Sequence, residues 1–332
     1  MAQLATIYGG SGFVGRYITR HLAQAGWRVR VAVRHPNQAL HVIPGGDVGQ
    51  ISAVLCNIRD DASVQAAMEG AAAVVNCVGV LTEIGKNGFE AVQHAGAARV
   101  ARLAAATGVA RLVQLSAIGS RRDSDSAYSV SKALGEEAVL RHMPGAVVLR
   151  PSVIFGPEDQ FFNRFAAMAR FGPFLPIVGG GTRFQPVYVD DVAQAAVMGL
   201  RNSDAHGRSV AGIFELGGPE VMTLRALILY MLRVIRRRRL PLDLPFPVAG
   251  GMAATLDFVQ MISGDLLVNG VLTRDQLCSL RQDNVVAADA KGFADLGLTP
   301  TPMAAVVPEY LWRFRPSGQF ADIKRSARNL RP

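Results

Sequence analysis

Cysteine is scarce in this chain of 332 residues. Its three cysteines, Cys56, Cys77 and Cys278, are scattered without any C-x-x-C pair. That pattern offers no zinc site, no iron–sulfur cluster and no disulfide framework. Cys56 and Cys77 fall in apolar runs and read as reduced core residues, which fits a reducing compartment. Histidine is also sparse, with six residues and no ligand spacing, so no metal site is expected. Long apolar runs are missing: nothing approaches the ~20 residues needed to cross a bilayer. The nearest candidate, 244–256, is bounded by Asp243 and Asp257, so any membrane contact is expected to be peripheral. A strand pattern begins almost at Met1, so no signal or transit segment is expected, which favours the cytoplasmic side. Charged residues make up only 18% of the chain, and among them cations win, for a net charge of +9.

That excess points to an anionic partner: a nucleotide, a membrane surface or an acidic protein. Nucleic acid is a poor fit, because no basic patch is interleaved with aromatics at recognition spacing. Hydrophobic residues at 50% leave an apolar surface that partners would cover. The length is enough for two lobes. In the first half, apolar strand runs at 28–33, 51–56, 73–77, 112–115 and 147–149 alternate with helix patterns at 12–25, 62–68, 89–106 and 127–141. Near-continuous apolar strands separated by helices predict an α/β fold, a Rossmann-type doubly wound parallel sheet. Residues 1–150 form the expected dinucleotide-binding domain. Residues 151–332 form a smaller, mixed C-terminal lobe, with helix patterns at 161–170, 191–200 and 224–236. Between them, Gly172-Pro173-Phe174-Leu175-Pro176 and Gly179-Gly180-Gly181 read as turns.

The most informative string lies at the start. Leu4-Ala5-Thr6-Ile7-Tyr8 is strand-like, and Gly9-Gly10-Ser11-Gly12-Phe13-Val14-Gly15 runs into an amphipathic helix. Gly9 permits the tight turn, Gly12 lets backbone amides approach phosphate, and Gly15 lets the helix pack closely. The helix N-terminus then presents free N–H groups to a pyrophosphate. A G-x-x-G-x-x-G string is weak alone and strong between a strand and a helix. Ser11, Phe13 and Val14 complete the expected binding turn.

The end of the second strand selects the nucleotide. NAD binders carry an acid there for the ribose hydroxyls. This chain has Val33-Arg34-His35 instead. A guanidinium at Arg34, with Arg16 adding charge, would grip a 2′-phosphate, so NADPH is expected. Asn57 is placed to hydrogen-bond adenine, and Cys77, Val78 and Gly79 to line the adenosine and ribose path.

Ser116 ends the fifth strand run, and Tyr128 and Lys132 follow four residues apart, on one face of a helix. With the glycine turn and Asn76-Cys77-Val78-Gly79, they make the chain resemble the short-chain dehydrogenase/reductase superfamily, in its extended or atypical branch. In that family the serine orients a substrate oxygen, the tyrosine exchanges its proton, and the lysine binds the nicotinamide ribose. A nearby ammonium would bring tyrosine toward working pH. The alternative is that Tyr128 and Lys132 only hold the cofactor.

Three further strings narrow the resemblance. They are Arg150-Pro151-Ser152 and onward to Phe165, then 181–193, then 272–277. With the late run 308–313, they are similar to the NAD(P)H-binding accessory subunit of respiratory complex I, NADH:ubiquinone oxidoreductase. The similarity spans nearly the whole chain. It implies an NADPH that stabilises the fold without turning over, with Arg150 and Pro151 at the cofactor. It also implies a seat beside the quinone-reducing region among other complex I subunits. The location implied is peripheral, on the cytoplasmic face of the bacterial inner membrane, or on the matrix face of the mitochondrial inner membrane if the chain is organellar. A free NADP-dependent reductase or epimerase using Ser116, Tyr128 and Lys132 is the rival. A nucleotide-sensing regulator is a third reading.

Finally, Arg236-Arg237-Arg238-Arg239 ends a helix pattern and precedes an apolar, Pro-rich stretch. Cations at a helix C-terminus complement its dipole. The same layout suits anionic lipid headgroups.

Overall fold

The computed structural model describes residues 2–201, 210–262, 273–316 and 318. β1 (Leu4–Tyr8) turns through the glycines into α1 (Phe13–Gln24). The alternation continues with β2 (Arg28–Val33), β3 (Ile51–Leu55), α2 (Asp61–Met68), β4 (Ala73–Asn76), α3 (Ala95–Ala106), β5 (Arg111–Leu115), α4 (Ala127–His142) and β6 (Val147–Pro151). The second half adds β7 (Ile154–Phe155), α5 (Phe162–Met168), β8 (Phe174–Val178), β9 (Arg183–Phe184), β10 (Val187–Tyr188), α6 (Val189–Gly199) and β11 (Gly212–Leu216). It closes with β12 (Met222–Thr223), α7 (Leu224–Val234), β13 (Leu240–Leu244), α8 (Phe246–Ile262), α9 (Arg274–Ser279) and α10 (Met303–Leu311).

Seven strands form one parallel sheet in the order β3-β2-β1-β4-β5-β6-β11. All four residues of β4 are buried, as a strand covered on both faces requires. Ile18 and Leu22 of α1 pack with Val192 and Ala196 of α6 on one face. Val64 of α2, Val100 of α3 and Val139 of α4 cover the other. The doubly wound arrangement expected from the alternation is therefore the fold. The chain reverses direction across the sheet between β1 and β4, and such a switch point opens a crevice at the carboxyl ends of the strands.

The expected boundary after residue 150 falls inside β6, and the chain later returns to the same sheet as β11. One segment differs from the sequence reading. The Gly172–Pro176 turn is a turn only at its start: Gly172 has φ +64°, and the strand β8 then pairs in parallel with β13. Proline lacks only a donor, so this two-stranded ribbon tolerates Pro176 and Pro241. The apolar stretch near 244–256 is mostly α8. Among the described residues no helix is long and apolar enough to cross a membrane.

The smaller lobe has its own core of Phe155, Phe162, Leu175, Leu227, Met231 and Leu311. One buried carboxylate organises it. Asp159 accepts from the backbone N–H of Gly156 (3.1 Å), Phe161 (3.0 Å) and Asn163 (3.0 Å), and from Tyr310 Oη (2.6 Å). Burial raises the Asp159 pKa, and these four bonds oppose the rise. Arg313 donates to Asn163 Oδ1 at 2.7 Å. Two strings from distant parts of the sequence, 150–165 and 308–313, are thus one structural unit. Leu272, first residue of the 272–277 string, lies outside the described residues.

Candidate functional site

The glycine turn is fixed by backbone contacts. Gly9 has φ +75° and donates to Ala32 O at 3.0 Å, while Gly12 donates to Gly9 O at 3.0 Å. A Cβ on Gly15 would lie 2.3 Å from Gly9 O and 2.7 Å from Gly10 Cα. Only glycine permits that crossing, so α1 begins directly against the turn. Gly12 is the N-cap of α1 and makes no side-chain capping bond, which leaves the first-turn amides to a ligand. A Cβ on Gly9 would meet Cys77 C and Val78 N at 3.3 Å, so the loops after β1 and β4 meet at the switch point. Phe13 stacks edge-on to Tyr17 and would touch a Cβ on Gly156. The Val14 side chain belongs to the core, so only its backbone is available to a ligand.

The expected adenosine-side residues follow β2 and β3, the strands next to β1 in the sheet. Arg34 is exposed just beyond β2. Asn57 is exposed, and its Oδ1 accepts from Arg59 N at 3.1 Å. Arg16 does not stand ready as a spare cation. It pairs with Glu158 at 3.6 Å and donates to the carbonyls of Gly12 and Ser11. His41, which the sequence did not mark, has Nε2 3.2 Å from Ser11 O. Burial pushes the Cys77 thiol up to about 12, against the pull of Lys132.

The Ser–Tyr–Lys set is together but differently employed. Ser116 is buried, and its hydroxyl donates to Glu136 and lies 3.2 Å from Ser120 Oγ. Glu136 is 3% exposed. It is bound by Arg150 through Nε at 3.0 Å and Nη2 at 2.6 Å. Arg150 also reaches Glu215 at 3.4 Å. The guanidinium expected at the cofactor is therefore committed to two carboxylates, and Pro151 is buried at the end of β6. Burial works against the Arg150 charge, and Glu136 overrides it, holding the pKa above its ordinary value. Glu136 was detectable: it lies four residues after Lys132, on the same helix face.

Tyr128 is half-buried beside Phe89, with ring centroids 5.8 Å apart. Lys132 Nζ lies 5.8 Å from the Tyr128 ring centroid and donates to Leu115 O at 3.3 Å. The expected lowering of the tyrosine pKa does not occur. Burial, with the Asp275 carboxylate adding, pushes Tyr128 up to about 12. Asp275, within the 272–277 string, accepts from Ser126 Oγ (2.9 Å) and Tyr128 N (3.4 Å). The second half of the chain thus braces the start of the Tyr128 helix. Next to it lies a cavity of about 470 Å³ whose charged lining is Glu83, Asp257, Asp275 and Arg274.

Burial lowers the Lys132 pKa to about 8, opposed by Glu136 and Cys77. A lysine whose pKa falls on folding binds fewer protons folded than unfolded between pH 8 and 10.5. Stability of the nucleotide-free protein should therefore rise through that window, by up to roughly 3 kcal/mol. In Lys132→Met this part of the slope should vanish. Urea denaturation of both proteins at pH 7 to 10 checks it, and parallel pH profiles would refute it.

The fit of a nicotinamide dinucleotide is supported by two features of the molecule: the cradle that a Cβ at Gly15 would fill, and the uncapped N-terminus of α1. Fold and crevice define a Rossmann-type dinucleotide-binding protein. The chain belongs to the NAD dependent epimerase/dehydratase family, whose model matches residues 5–217, and within it to the group of subunit 9 of the NADH dehydrogenase [ubiquinone] 1 alpha subcomplex. The mitochondrial subunit 9 of Arabidopsis thaliana is 36% identical over 95% of this chain and 79% of its own length. That of Mus musculus is 31% identical over 94% and 80%. Among solved structures, an NADPH-dependent quinone oxidoreductase from Escherichia coli superposes with a TM-score of 0.68 at 17% identity, covering 92% of this chain and 99% of that one. This last likeness concerns the fold.

Proposed function

We propose that this chain is an accessory subunit of respiratory complex I that holds NADPH as a structural ligand without turning it over. Similarity along 95% of the chain to subunit 9 of the NADH dehydrogenase [ubiquinone] 1 alpha subcomplex supports the assembly. The observation that carries the absence of turnover is the engagement of Ser116. Its one donor goes to the Glu136 carboxylate, so it has none to offer a substrate carbonyl. A tyrosine held near 12 is also a poor base at neutral pH. The neighbouring cavity carries three carboxylates against one guanidinium, an environment that repels a sugar nucleotide's phosphates.

Gly9, Ser11, Gly12, Phe13, Val14 and Gly15 would hold the pyrophosphate, Arg34 the 2′-phosphate, and Asn57 the adenine. Cys77, Val78 and Gly79 would line the path to the nicotinamide ribose, which Tyr128 and Lys132 would hold. Bound, the dinucleotide would supply a hydride donor, and this chain's residues would bind and shield it. The seat is peripheral, on the cytoplasmic or matrix face of the membrane. Arg236 and Arg238 are exposed, as are the apolar Phe171, Phe174, Leu240 and Leu242, and a basic and apolar surface of this kind would suit anionic lipid headgroups. Arg237 and Arg239 serve the fold, donating to Phe314 O and Ala169 O, both at 2.9 Å.

Denaturing protein purified from solubilised membranes should release near-stoichiometric NADPH, read by fluorescence and mass. An empty site, or NADH, defeats the assignment. Arg34→Glu should weaken NADPH about 10-fold or more while sparing NADH, and equal losses for both would count against the 2′-phosphate role. Repeated turnover of a small carbonyl compound, lost in Tyr128→Phe, would establish the rival enzyme.

A further inference from the structure

Among the described residues, one buried side-chain polar atom has no hydrogen-bond partner: Gln93 Oε1. Gln93 is 2% exposed, and a buried acceptor left unpaired costs about 1–3 kcal/mol. Its position is imposed from both ends. The turn Glu90–His94 is wound as a π-helix ahead of α3, and such turns cluster at functional sites. Gly135 lets α4 press against that turn, since a Cβ there would lie 2.4 Å from Gln93 O. The amide orientation is set as well. Nε2 donates to Val80 O at 3.3 Å, so Oε1 takes the other side.

That side faces the loop after β4. A Cβ built on Gly79 would stand 3.2 Å from Lys132 Nζ and 3.7 Å from Gln93 Oε1. Gly79 therefore preserves a space flanked by an ammonium and a desolvated acceptor. Lys132 uses one donor on Leu115 O and carries three. A group filling this space must accept from nitrogen and donate to oxygen at once. A hydroxyl does both; a fully ionised phosphate cannot donate, and an ammonium cannot accept.

We propose that Gln93 is a ligand-binding residue of the nucleotide site: its Oε1 accepts from a hydroxyl that in turn accepts from Lys132 Nζ, across Gly79. This rests on the reading that a nicotinamide dinucleotide occupies the cradle, and assigns the hydroxyl to the ribose on the nicotinamide side. An ordered water has the same chemistry and would be present without nucleotide, which separates the two sources.

The test compares wild type, Gln93→Leu and Gly79→Ala in the full chain. Each is titrated with NADPH and with adenosine 2′,5′-bisphosphate, which lacks the nicotinamide ribose, and melted without nucleotide. Gln93→Leu should weaken NADPH by about 10-fold and leave the bisphosphate unchanged. Gly79→Ala, which fills the space, should give the same selective loss and remains informative if the first variant fails to fold. Equal NADPH affinity in all three proteins overturns the inference while leaving the nucleotide reading intact. A lower nucleotide-free melting point for Gln93→Leu with no selective loss of NADPH overturns it too. Wild type binding neither compound defeats the inference together with the nucleotide reading.

Discussion

Gly15→Ala should lose bound dinucleotide outright, not merely bind it less well. The added methyl would sit 2.3 Å from Gly9 O, 2.7 Å from Gly10 Cα and 3.0 Å from Gly10 C. All three are backbone atoms of the turn, so no side chain can swing aside. Relief requires moving the loop off the helix, which separates the N-terminus of α1 from the amides aimed at the same phosphates. Overpacking of this kind costs about 1–3 kcal/mol in stability. The geometry lost is the one the ligand needs. Gly145→Ala is the control: it is an exposed glycine with nothing within 4 Å of its Cβ position. That change should be neutral or slightly stabilising, through the unfolded chain. Retained NADPH and an unchanged melting temperature in Gly15→Ala would remove the cradle from the account.

The second large effect concerns the buried pair between α4 and β6. Glu136→Ala should cost about 3–5 kcal/mol, because it strands the Arg150 guanidinium in a site where Glu136 is its main partner. It also strips Ser116 of its acceptor. Glu215 remains, at 3.4 Å, as partial compensation. The double change Glu136→Leu with Arg150→Met removes both charges, and should recover more than half of the loss. Urea unfolding of the three proteins measures this. A single-variant loss under about 1 kcal/mol would mean the pair is no better than a surface contact.

How much of this was legible follows from how local each signal is. The glycine turn, β1 and α1 were readable because their residues enforce their own conformation: Gly9 at positive φ, Gly15 at a backbone crossing. The central strands were readable because burial on both faces makes them uniformly apolar. β11, Gly212-Ile213-Phe214-Glu215-Leu216, was not, because its short run becomes a strand only on the edge of β6. β8 was hidden by proline and glycine at its start. At the site, the four-residue spacing placed Tyr128 and Lys132 on one face of α4, where the Lys132 ammonium stands 5.8 Å from the Tyr128 ring centroid. What the sequence left open is what each is bound to: Glu136 of the same helix for the serine, Leu115 O for the lysine, and, from the far end of the chain, Asp275 beside the tyrosine. Gln93 gave no signal at all, since the π turn that aims it departs from the helical period used to read side-chain faces.

The turn around Asp159 links the two ends of the described chain. Glu158, beside it, accepts from Tyr17 Oη at 2.9 Å and pairs with Arg16, so this turn walls the outer side of the first helix. The aspartate that shapes the turn is in turn satisfied by Tyr310, among the last described residues to be synthesised. The first helix and the last described one are therefore joined through two neighbouring carboxylates, and removing the Tyr310 hydroxyl would leave the buried Asp159 one donor short at the turn that meets α1.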